Sequence, residues 1–123
     1  MKSVLKRAEK ASRDLNQLKL QDVKLTRIKI AENNPETGNF RLKGYFSETE
    51  FIEIFQFYLS GKLLKYSYVY IKDNNSILRY DNAPHHEQFK SFPDHKHIKE
   101  RIKGLEDPTL KNFIAEVLKI KTK

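Results

Sequence analysis

The sequence predicts an α+β fold: one N-terminal helix, an antiparallel meander of about five strands and a C-terminal helix. One observation at the two ends and two in the middle support this. Residues near both termini repeat apolar positions at helical spacing, the central stretch is rich in β-branched and aromatic residues, and Asn, Gly and Pro punctuate it at hairpin distances. A chain of 123 residues can bury one modest core, so residues 1–123 are assigned to a single domain.

The first helix is expected over residues 1–18, where Val4, Leu5, Ala8, Ala11, Leu15 and Leu18 recur at helical spacing and Lys6, Arg7, Lys10 and Arg13 fill other positions. Its basic outer face is either solvated or a contact for phosphate or an acidic partner. Sheet is expected over residues 20–82. From Val23 to Ile30 apolar and polar residues alternate with a phase slip near Arg27, which fits a bulged strand. A loop at 33–38 separates it from a strand with Phe40, Leu42, Gly44 and Phe46 on one face and Arg41, Lys43 and Tyr45 on the other. Residues 50–59 are so uniformly apolar that they read as a central strand covered on both sides, or nearly so. Ser60-Gly61 reverses the chain into Lys62–Ile71, with Leu64, Tyr66, Tyr68 and Tyr70 on one face, and Asp73–Ser76 closes a second hairpin onto Ile77–Asn82.

Pro84 lacks an amide donor and restricts Ala83, so strand pairing should fail there. Residues 83–107 are expected to form a His-rich loop region, with a short basic helix at 98–103. Asp107 reads as the N-cap of a last helix over 108–119, started by Pro108 and buried through Leu110, Phe113, Ile114, Val117 and Leu118.

The formal net charge is +8, which favours anionic partners. Residues 1–31 carry nine Lys/Arg against three acids, residues 32–89 six against eight, and residues 90–123 nine against five. The excess is terminal, so the sheet is expected not to be one basic plane. With no cysteine the chain has no disulfide, thiolate metal site or catalytic thiol. Four glycines, none spaced as GxGxxG or a P-loop, argue against nucleotide binding of those kinds. No apolar run suits a signal peptide or a membrane span, and a cytoplasmic location is expected.

All four histidines fall within residues 79–97, in Arg79-Tyr80-Asp81-Asn82-Ala83-Pro84-His85-His86 and Phe92-Pro93-Asp94-His95-Lys96-His97. Neither helix nor strand requires such density. Imidazole titrates near working pH, so His85, His86, His95 and His97 can supply an acid–base pair for RNA cleavage through its own 2′-hydroxyl. Asp81 can orient one ring, Arg79 and Lys96 can neutralise phosphoryl charge, and Tyr80 can donate a hydrogen bond or stack on a base. No cofactor is needed for this scheme. A divalent ion is the alternative: His95 and His97 can share one, whereas the adjacent His85 and His86 point apart on an extended chain. A turn at Asp81–Pro84 with Tyr80 and Phe92 in the core is the purely structural alternative.

These two blocks resemble the signature of the TumE-like family, small prokaryotic proteins classed as toxins of toxin–antitoxin pairs. The close resemblance covers residues 79–97, and the family plan of an antiparallel sheet, this block and a C-terminal helix extends loosely over residues 20–120. The family form of the second block, Phe-Pro-His-His-Lys-His, has histidine where Asp94 stands here. The N-terminal helix looks longer than the family plan requires, as an addition would. The resemblance implies a toxin held inactive by a cognate antitoxin, often a DNA-binding protein. RNA as target is read from the histidines and the charge. A noncatalytic basic module for nucleic acid or protein stays open as the alternative, and either reading allows a homodimer through exposed strand edges.

Overall fold

A computed structural model describes residues 2–84 and 88–122. Helix α1 (Val4–Asp14) runs through a single 3-10 turn (Leu15–Gln17) into the strands β1 (Asp22–Ala31), β2 (Asn34–Tyr45), β3 (Glu50–Leu59), β4 (Lys62–Lys72), β5 (Asn75–Asp81), β6 (His95–Ile98) and β7 (Arg101–Gly104), and helix α2 (Leu110–Lys121) ends the fold. The strands form one antiparallel sheet in sequence order. The α+β expectation holds, with seven strands where about five were expected.

Both helices lie on one face. Ala8, Ala11, Leu15 and Leu18 of the N-terminal segment and Phe113, Ile114 and Val117 of α2 join Phe40, Leu42, Ile52, Ile54, Tyr68, Leu78 and Tyr80 in a single core. Phe113 sits edge-on to Tyr80 at 5.2 Å between ring centroids, and 5.7 Å from Tyr68. Ser3 caps α1 by accepting from the Lys6 amide. The expected N-cap Asp107 is displaced by Thr109, whose hydroxyl accepts from the Asn112 amide, while the Asp107 carbonyl accepts from the Asn112 side chain. Leu5, expected inside, is 47% exposed.

The strand patterns are resolved by register. A bulge between Leu25 and Arg27 keeps Leu25 and Ile28 opposite Leu42 and Phe40 despite the phase slip in the sequence. Strand β3 does pair on both edges, but its burial alternates along the chain: Ile52, Ile54, Gln56 and Tyr58 are buried and Phe51, Phe55 and Phe57 half-buried. It is therefore covered on one face only. The aromatic residues that made it read as doubly covered lie under the cations of neighbouring strands, Arg41 over Phe55 at 4.9 Å and Lys43 over Phe51 at 4.8 Å. In β4 a shift near Tyr58 packs Leu63 against the core and leaves Leu64 exposed, the reverse of simple alternation.

Residues 98–103, expected as a basic helix, form the turn and second strand of the β6–β7 hairpin instead. Lys99 makes the reversal at φ +54°. Four-residue strands with basic side chains carry too little apolar alternation to be recognised. Among the described residues, no helix is long and apolar enough to cross a membrane.

Candidate functional site

Strands β5 and β6 bring the two histidine-bearing blocks together. Asp81 pairs with His95, Tyr80 with Lys96 and Arg79 with His97 in antiparallel register. Cross-strand partners share a face, so Arg79, Asp81, His95 and His97 fall on the face away from the helices, and Tyr80 and Lys96 on the helix-covered one.

On the helix-free face Asp81 is the centre. It is buried, and its Oδ2 accepts from Arg79 Nε at 3.0 Å while its Oδ1 accepts from the Ala83 amide at 3.0 Å and faces His95 Nε2 at 2.9 Å. His95 is 1% exposed. Its Nδ1 lies 3.0 Å from the Pro93 carbonyl and its Nε2 2.9 Å from the Asp81 carboxylate, and since both oxygens can only accept, the ring nitrogen is the donor in each contact. The ring is held at both nitrogens, the arrangement of a positioned imidazole. His97 is half-buried, with its ring 5.0 Å from that of His95 at 70°. Of the two described histidines, it is the one that reaches solvent.

Phe89 and Ser91 pack closely against Gly104, the cross-strand partner of His95: a Cβ there would lie 3.0 Å from Ser91 Oγ and 3.5 Å from Phe89 Cβ. The Ser91 hydroxyl donates to the Asp94 carbonyl and accepts from the Leu105 amide, pinning the loop to the hairpin.

On the other face Tyr80 is fully buried, donates its hydroxyl to Glu116 and accepts from Asn112 Nδ2. Lys96 Nζ meets the same Glu116 carboxylate at 3.0 Å. Burial, then Glu116, pushes the Tyr80 phenol well above its usual ionisation range, and burial and Asp94 do the same to Tyr66. Tyr80 cannot stack on a base from this position, and Lys96 is turned away from Arg79. Asp94 accepts from the Tyr66 hydroxyl at 2.7 Å. His85 and His86 lie outside the described residues.

Asp81, His95 and His97 each offer a ligand atom within 4.8 Å of the others, a donor set that a divalent ion could use. The Arg79 guanidinium against the same carboxylate would compete with such an ion. The site thus presents a cation held by the buried Asp81 and, against the His95 ring, the half-buried imidazole of His97.

The chain matches the family model described as toxin TumE over residues 12–121. It belongs to that family. No curated protein and no solved structure matches it. The TumE match takes in the whole sheet, the histidine-bearing blocks and all of α2. It begins late in α1, yet Val4 and Ala8, which precede it, are buried in the core, so the extra helical turns are part of the packed structure.

What sequence reading missed is the division of labour. Nothing in the chain's composition marks His95 as the buried ring and His97 as the accessible one. The usable signal was antiparallel pairing of Asp81 with a residue of the second block, which required recognising β6 as a strand.

Proposed function

We propose that this chain is the toxin of a toxin–antitoxin pair and that it cleaves RNA at the Arg79–Asp81–His95–His97 cluster. The observation that carries the reading is a half-buried imidazole and a guanidinium side by side on one face, with Asp81 holding Arg79 directly and His95 against the His97 ring. His97 accepts the proton of a ribose 2′-hydroxyl, whose oxygen attacks the adjacent phosphorus as the bond to the 5′ oxygen breaks. Arg79 neutralises the charge gathering on the phosphoryl oxygens. Asp81 and His95 are positioning residues. The leaving 5′ oxygen takes its proton from the second member of the pair, which on the sequence reading is His85 or His86, outside the described residues. Products are a 2′,3′-cyclic phosphate and a 5′-hydroxyl. The partner on this reading is a cognate antitoxin, a DNA-binding protein that covers the toxin.

The test is controlled expression in a bacterial host, parent chain beside His97→Ala, with viable counts and mapping of RNA ends. General acid–base groups contribute at least about 100-fold to rate, so His97→Ala should remove growth inhibition and the new 5′-hydroxyl ends together, while circular dichroism shows the fold retained. Full toxicity in His97→Ala would overturn the assignment and leave the noncatalytic binding module as the reading.

A further inference from the structure

We propose that the sheet face opposite the helices is a docking track for single-stranded RNA that leads into the Arg79–His97 site. The proposal rests on the RNA reading above, and extends it from the reacting groups to a surface that the charge tally along the chain hides.

Register builds the track. Arg27, Arg41, Phe55, Ser67, Asp81 and His95 are successive cross-strand partners from β1 to β6. Five strand spacings of about 4.8 Å make this row roughly 24 Å long. Beside it, Lys43, Glu53, Val69, Arg79 and His97 form a second row that ends at the accessible imidazole. On the other side Lys29, Asn39, Phe57 and Lys65 form a third. Cations thus stand over β1 and β2, aromatic rings over β3, and Lys65, Ser67 and Val69 over β4, with the reacting groups beyond.

The central strands are close to neutral in sum, but the pleat sorts their charges. Glu50 turns to the helix side, where Lys121 pairs with it. Glu53, which stays on the helix-free side, is met by Arg41 at 3.0 Å and by Lys43 at 3.7 Å. Asp81 is met by Arg79 and His95. Arg27, Lys29 and Lys65 add exposed positive charge to this balanced set. The sheet is, as expected, no single basic plane, but its helix-free face carries an excess of positive charge.

The aromatic rings choose the ligand. Phe51, Phe55 and Phe57 are half-buried on a face that carries no helix among the described residues, and cations already lie over two of them. A guanidinium over a ring accepts a planar base on the same stack, while neighbouring cations take the phosphates. A duplex keeps its bases stacked inside and offers phosphate alone, and an acidic peptide offers no planar groups for the rings. The basic face of α1 lacks this combination: Lys10 pairs with Asp14 there, and Arg7 lies over Tyr58, a core ring.

The experiment uses the full chain carrying His97→Ala and a fluorescein-labelled single-stranded RNA of roughly 12 nucleotides, within the range of known single-strand sites. Fluorescence anisotropy gives affinity across a salt series. Added Phe55→Leu, which keeps apolar volume but removes the ring, should weaken binding about tenfold, as loss of one stacked base does. Added Arg27→Ala and Lys65→Ala should weaken it and flatten the salt dependence by about 0.7 in the log–log slope for each phosphate that is no longer neutralised. Lys6→Ala with Arg13→Ala on α1 should stay within about twofold, since it touches no stacking residue. The proposal is overturned by absence of RNA binding at low salt, by unchanged affinity in Phe55→Leu, or by a duplex of the same sequence binding as tightly. The two readings fail separately. A toxic His97→Ala with RNA binding still weakened in Phe55→Leu sinks the cleavage chemistry and keeps the track. A nontoxic His97→Ala with Phe55→Leu unaltered in affinity does the reverse.

Discussion

Strands β5 and β6 carry two carboxylate-centred groups back to back. On the helix side Glu116 gathers the Tyr80 hydroxyl and the Lys96 ammonium. On the other side Asp81 gathers Arg79, His95 and the Ala83 amide. Both satisfy buried polar groups, but they differ in what is left over. Glu116 belongs to α2, so its contacts tie helix to sheet, and Tyr80 and Lys96 end at that carboxylate. Asp81 belongs to the sheet itself and holds Arg79, half exposed along its side chain, and through His95 supports a ring that reaches solvent. A closed polar group serves the fold, whereas one that leaves a cation and an imidazole facing outward can serve a ligand.

The largest way to break this contrast is Asp81→Ala. It strips a buried carboxylate from His95 and Arg79 together, and removal of one partner of a buried pair costs about 3 kcal/mol. Toxicity should vanish and the urea midpoint should fall. Asp81→Asn separates the two effects, because its amide keeps the shape and an acceptor for the Ala83 amide while losing the charge. Growth inhibition by Asp81→Asn at the parent's level would mean that the carboxylate serves the fold alone, and the two groups would then be alike.

An intermediate effect belongs to the helix side. Burial raises the phenols of Tyr66, Tyr68 and Tyr80, and acceptance by Asp94 and Glu116 adds to it for the first and last. In the unfolded chain a phenol loses its proton near pH 10, while in the fold these keep theirs to higher pH. The unfolded state therefore binds fewer protons above about pH 10, and stability present below that pH is lost as pH rises, by up to about 1.4 kcal/mol per pH unit for each tyrosine. Urea midpoints measured between pH 8 and 11 should be level and then drop. A flat profile would show that the phenols are not held as described, and Tyr80→Phe should remove its own share of the slope.

How much of this was legible in the chain follows from what pattern can carry. The helix–sheet–helix plan was, since the buried residues of α1 and α2 sit at helical spacing, and so was the β1 bulge, because a phase slip at Arg27 breaks a period of two. Asp81 with the histidines stood out as a group by composition. The face of each residue did not. Lys96 and His97 are neighbours in sequence, and only the pairing of β6 with β5 sends one to Glu116 and the other beside Arg79. That pairing is carried by four residues with a buried histidine where an apolar residue would mark the strand. The positive charge on the helix-free face was hidden for a related reason: a tally by segment counts Arg27 and Lys29 of β1 with the N-terminal helix, and cannot tell that Glu50 turns to the helix side while Lys65 does not.

The smallest effect is also the sharpest comparison, Lys96→Met against Arg79→Met. Both residues are cations of the histidine-bearing blocks and both suggested phosphate binding in the sequence. Lys96 lies against Glu116 with about a fifth of its side chain exposed, so methionine there keeps the packed stem and loses one partly buried ion pair, costing roughly 1 kcal/mol or less in stability. Growth inhibition should stay near the parent's. Arg79→Met should change stability as little, since its side chain is half exposed, but should remove the cation from beside His97 and with it most of the toxicity. The measurement is viable count and urea midpoint for both variants side by side. Should Lys96→Met lose toxicity with its midpoint unmoved, the charge on the helix side would be the one that meets the substrate, and the face assigned to the site would be wrong.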